Sequence, residues 1–94
     1  MTYCIDKTTA FMKDVARAKR QGLDISKLTA TISALATGQS LPPSKRDHAL
    51  KGEWSGCREC HVAPDWLLVY RKDDARLVLL LIRTGTHRAI GLGG

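Results

Sequence analysis

The sequence has no long hydrophobic run. Its longest, Leu77 to Ile82, is six residues, whereas a membrane-spanning helix needs about 20. Met1-Thr-Tyr-Cys-Ile-Asp6 lacks the charged start and apolar segment of an export signal, so a cytoplasmic protein is the expectation. Cysteine is scarce and odd in number, three in 94 residues, which argues against a disulfide framework. Acid is scarce too: 9 Asp and Glu against 15 Lys and Arg leave a net charge of +6. Such an excess favours nucleic acid or an acidic protein as partner, although a solvated basic surface would carry the same charge. No internal repeat or low-complexity segment is visible. The length predicts one domain, residues 1–94, with a modest core.

Cys57-Arg-Glu-Cys60-His61 matches the C-x-x-C-H pattern of c-type haem attachment. The surrounding β pattern contradicts that function. In a strand, Cys57, Glu59 and His61 share one face, and Arg58, Cys60 and Val62 share the other. The two cysteine Cα atoms then stand roughly 10 Å apart on opposite faces, too far for a disulfide. Zinc would need a second ligand pair, and the sequence offers none. Neither haem nor zinc is expected, and Cys4 and Cys60 read as small core residues.

The pattern elsewhere is that of an α+β domain. Tyr3-Cys4-Ile5 is β-prone. Phe11, Val15 and Ala18 form an i, i+4, i+7 stripe behind a cap at Asp6 or Thr8, and Gly22 stops the helix. Leu28, Ile32 and Leu35 repeat the stripe behind Asp24 or Ser26, and Gly38 ends it. Residues 41 to 54 read as an irregular basic connection. Three strands follow: Cys57 to Val62, Trp66 to Tyr70 and Arg76 to Arg83. Their short connections favour antiparallel neighbours. The expected order is β-α-α-β-β-β, with two helices packed on one face of a small antiparallel sheet and the other face open.

Three histidines stand in distinctive places: His48 in the basic connection, His61 at a strand end before Asp65, and His87 after Arg83-Thr-Gly-Thr. Converging histidines beside cations suit RNA cleavage, in which a 2′-hydroxyl loses a proton and a 5′-oxygen gains one. Arginine or lysine would stabilise the phosphorane. Spacing by itself fits three unrelated surface histidines better. Trp66, at a strand start, has a better claim on a ligand than Tyr70, which reads as core.

Together the residues go further. Asp47-His48-x-Leu50-x-Gly52-x-Trp54, then Arg58-Glu-Cys-His61-x-x-Pro64-Asp65-Trp66-Leu-Leu-x-Tyr70, then Arg83-Thr-Gly-Thr-His87 resembles the YafQ-type toxins of the RelE/ParE toxin–antitoxin superfamily. The match runs in order from about Leu41 to His87. The resemblance implies a RelE-like fold and an endoribonuclease that cleaves mRNA on the translating 70S ribosome without metal. It implies His48, His61, His87 and Asp65 as the catalytic set, with His87 and Asp65 as the leading acid/base pair. It implies that Arg83 neutralises the phosphorane, that Trp66 shapes the base site, and that Lys45, Arg46 and Lys51 contact the RNA backbone. The basic helix face of Lys13, Arg17 and Arg20 would reach ribosomal RNA. An acidic antitoxin is the implied partner. The alternatives are a ParE-like toxin that binds gyrase, which has no need for three histidines beside Asp65 and Arg83, and a RelE-fold toxin weakened by its altered C-terminal tail. One departure stands out: Gly91 occupies the place of the family's terminal aromatic, a residue whose stacking is worth about 1–3 kcal/mol per base.

Overall fold

A computed structural model describes residues 2–91. Strand β1 (Cys4–Lys7) leads into helices α1 (Thr9–Arg20) and α2 (Ile25–Ala36). A basic connection follows, then β3 (Arg58–Ala63), β4 (Trp66–Asp73), β5 (Val78–Gly85) and a last turn of helix, α3 (His87–Ile90). The connection is more ordered than its composition suggests. It holds 3₁₀ turns at Pro43–Lys45 and Gly52–Trp54, and between them a two-residue strand, β2 (His48–Ala49).

Each helix boundary has a local cause. Thr8 caps α1: its Oγ1 accepts from the Phe11 N–H at 2.9 Å and donates to the Ile82 carbonyl at 2.7 Å. Asp24 caps α2 through the Ser26 N–H at 3.0 Å. Gly22 and Gly38 take positive φ just after the helices, where a side chain would be strained.

The five strands form one sheet in the order β1-β5-β4-β3-β2. The pairs β2–β3, β3–β4 and β4–β5 are antiparallel, as expected. β1 pairs with β5 in parallel, Cys4 opposite Val78. A parallel partner follows from the long crossover through both helices. The helix-side core joins Phe11, Ala18, Leu28 and Leu35 to Cys60, Val62, Leu68, Tyr70, Leu79 and Leu81. Burial and a hydrogen bond to Asp47 push the Tyr70 phenol above its usual range.

The second face is partly covered rather than open. Leu67, Val69 and Ile90 pack there with Leu50, Trp54, Cys57 and Ile82. Cys57 and Cys60 therefore serve opposite faces, as alternation along β3 requires. Burial pushes the Cys60 thiol up to about 12, consistent with an inert core residue.

Candidate active site

Strand register brings the site together. His48 on β2 lies opposite Glu59 on β3, and Glu59 lies opposite Val69 on β4. His61, two residues along β3, therefore shares the face of Glu59. A register shift between His61 and Ala63 precedes the Pro64-Asp65 turn into β4. His87 enters from β5 as the first residue of α3, whose cap is Thr86, bonded to the Ala89 N–H at 3.0 Å.

All three histidines converge on one oxygen. Glu59 Oε1 lies 3.6 Å from His87 Nε2, 3.8 Å from His61 Nε2 and 3.9 Å from His48 Nε2. None of these is a direct hydrogen bond. The spacing leaves each nitrogen able to turn to a bound group while keeping a carboxylate beside it. The Glu59 side chain is 4% exposed, whereas that of His48 is 51% and that of His87 is 40% exposed. The cluster is a buried carboxyl group beneath two accessible imidazoles, with His61, 14% exposed, deeper beside it. Asp65 Oδ1 stands 3.8 Å from His87 Nδ1, so a carboxylate flanks each nitrogen of that ring. The rings of His61 and His87 meet edge-on at 6.0 Å.

The four residues expected to be catalytic are thus brought together, and a fifth, Glu59, sits at their centre. Sequence reasoning placed Glu59 on the face of His61 without giving it a role. The available signal was a carboxylate two residues before a histidine on one strand face, normally a solvated position. Only pairing with β2 and the cover from α3 bury it.

Two expected RNA contacts are placed differently. Trp66 is 6% exposed in the helix-side core, and its Nε1 donates to Thr84 Oγ1 at 2.9 Å. It supports β5 beneath the site, and what remains accessible of it lines a small pocket with Asp65, Thr84 and Thr86. Arg83 is bound to Asp14 of α1, through Nε at 2.6 Å and Nη2 at 3.1 Å. Those bonds raise its pKa above the usual guanidinium value, and its charge is already balanced.

Arg46 is exposed, whereas Lys45 is half-buried and its Nζ donates to the Val62 carbonyl at 3.2 Å. With Lys27 they line a groove of about 800 Å³, floored by Leu41, Pro42 and Val62, which ends at His61. Lys51 is exposed nearby in sequence. Lys13, Arg17 and Arg20 are exposed on α1. Gly91 closes α3 with φ 83°, and the remainder of the glycine-rich tail, 92–94, lies outside the described residues.

Glu59, His61 and His87 also offer three ligand atoms within 4.8 Å of one another. Two imidazoles and a carboxylate form a donor set that suits a first-row divalent ion. No described helix is long and apolar enough to cross a membrane.

Residues 3–91 match the family model described as the bacterial toxin of type II toxin–antitoxin system, YafQ. The chain belongs to the YafQ toxin family. It is 38% identical over 87 residues to the mRNA interferase toxin YafQ of Escherichia coli strain K12, covering 92% of each chain. The fold agrees with YafQ in the crystal structure of the E. coli DinJ-YafQ toxin–antitoxin complex, with TM-score 0.88 and 36% identity over 99% of this chain and 100% of that one. It also agrees with a metal-bound toxin from Helicobacter pylori, with TM-score 0.89 and 37% identity over 95% of this chain and 99% of that one. The motif string from Asp47 to His87 is therefore carried on a YafQ fold.

Proposed function

We propose that this YafQ-family chain is an mRNA interferase, an endoribonuclease toxin that acts on mRNA at the translating ribosome and is held in check by an acidic antitoxin. The observation that carries the reading is the convergence of three histidine Nε2 atoms on Glu59, with Asp65 behind His87. A gyrase-binding surface requires no such arrangement.

The geometry supports the following chemistry. The 2′-hydroxyl gives up its proton and its oxygen bonds to phosphorus. The bond to the 5′-oxygen then breaks, and that oxygen takes a proton, leaving a 2′,3′-cyclic phosphate and a 5′-hydroxyl. His87 has a carboxylate near each ring nitrogen, Glu59 at 3.6 Å and Asp65 at 3.8 Å, and is assigned as the donor to the leaving oxygen. The acceptor is one of the two remaining histidines. Protonated imidazoles then face the phosphorane, a task that Arg83 is too committed to perform alone. The groove beside His61 gives the flanking strand three cations and an apolar floor.

The test is to map mRNA 5′ ends in a purified translation reaction, with and without ribosomes. New ends should require ribosomes, and His87→Ala should reduce them by at least about a hundredfold, the usual weight of a general acid. Equal cleavage of free RNA, or full activity of His87→Ala, would refute the proposal.

A divalent ion would be held by Glu59, His61 and His87. It would take the His87 nitrogen that must carry the proton donated to the leaving oxygen. Micromolar zinc or copper should therefore suppress cleavage, and a chelator should restore it. Stimulation by the metal would contradict this assignment.

A further inference from the structure

The basic connection does more than carry charge. Its 3₁₀ turn closes with the Arg46 N–H donating to the Pro43 carbonyl at 3.1 Å. Arg46 itself then takes φ 49° and ψ 42°. A non-glycine residue keeps this left-handed conformation only where its surroundings hold it. The neighbouring residue supplies the hold. Asp47 Oδ1 accepts from the Tyr70 hydroxyl at 2.6 Å and from Arg58 Nε at 3.1 Å. Tyr70 is fully buried on β4 and Arg58 lies on β3, so the turn is bolted to two strands of the sheet.

In this conformation the Arg46 carbonyl lies 2.6 Å from His48 Nδ1. A carbonyl only accepts, so Nδ1 must carry the hydrogen. The neutral ring then has its lone pair on Nε2, the nitrogen facing Glu59 at 3.9 Å. We propose that Arg46 is a positioning residue acting through its main chain: its left-handed carbonyl fixes His48 in the Nδ1–H tautomer and makes Nε2 the acceptor of the 2′-hydroxyl proton. The catalytic half of this inference rests on the ribonuclease reading. The proton passes from O2′ to His48 Nε2 as the O2′–P bond forms, and His87 returns a proton to O5′ as the P–O5′ bond breaks. The resulting imidazolium of His48 donates from Nδ1 to Arg46 and faces the Glu59 carboxylate with Nε2.

Three variants separate main chain from side chain. Arg46→Gly and Arg46→Asn tolerate the left-handed region, whereas Arg46→Val opposes it. All three lose the guanidinium equally. With histidine labelled in nitrogen, NMR at a pH where the ring is neutral reads the His48 tautomer directly. Wild type, Arg46→Gly and Arg46→Asn should show a protonated Nδ1 and a bare Nε2, and Arg46→Val should lose that pattern. All three variants lose the same groove cation, so in the ribosome assay at saturating protein the comparison is among them: Arg46→Val should cleave at least about tenfold more slowly than Arg46→Gly and Arg46→Asn. Any shared rise in KM would report the lost guanidinium.

The inference is overturned if folded Arg46→Val keeps the Nδ1–H tautomer and the wild-type rate. It is equally overturned if all three variants lose the rate alike. A wild-type protein that shows the tautomer but cleaves no message would refute the ribonuclease reading and leave the tautomer assignment standing.

Discussion

Glu59→Gln should lower mRNA cleavage by about a thousandfold, the upper range for removing a preorganised electrostatic partner. The substitution keeps shape and volume, so packing around a side chain that is 4% exposed is preserved. What it removes is the one negative charge shared by His48, His61 and His87. Each imidazolium formed during the reaction would then face a neutral amide. The amide would also offer a donor to nitrogens that must stay free. The ribosome assay reads the loss, and a melting curve on the same sample establishes that the protein is folded. A folded variant that cleaves within about threefold of wild type would show that the histidines work independently of their common partner, because loss of a shared charge in a shielded site cannot be that mild.

Asp14→Ala should destabilise the fold by about 3 kcal/mol, as breaking one side of a buried ion pair does. Asp14 is 3% exposed and accepts three hydrogen bonds, two from Arg83 and one from the Thr84 N–H at 3.1 Å. Truncation leaves a guanidinium that is 24% exposed and a backbone N–H without a partner. The partial exposure of Arg83 keeps the figure at the low end of the range for such pairs. For a domain of this size the melting temperature should fall by roughly 15 °C. A fall of less than about 5 °C would mean that water replaces the carboxylate at little cost. The same variant probes Arg83, since it frees the guanidinium that the fold otherwise holds on α1.

Most of the architecture is legible in the sequence because it is local. The stripes at Phe11, Val15 and Ala18 and at Leu28, Ile32 and Leu35 mark both helices, and turn residues separate the last three strands. The histidines and Asp65 are legible through their resemblance to a family and not through spacing. What is hidden is non-local. Asp14 sits among exposed Lys13, Arg17 and Arg20 and reads as part of a solvated face. It is buried only because β5, 69 residues away, lies against it. Glu59 is hidden for the same reason. The burial of Trp66 is hidden as well, because a strand-start aromatic beside an exposed aspartate gives no sign of its bond to Thr84. The two-residue β2 has too little sequence to carry a strand signal, and its register opposite Glu59 is set by the pinned turn before it.

The parallel pairing of β1 with β5 has a consequence in time. Cys4 meets Val78, and Thr8 caps α1 while holding the Ile82 carbonyl. These contacts close nearly the whole length of the chain. Closure of such distant segments is slow compared with helix and hairpin formation. The helix pair and the β3–β4–β5 meander join neighbours in sequence and are expected to form first, whereas docking β1 and the start of α1 on β5 closes the long crossover and is expected late.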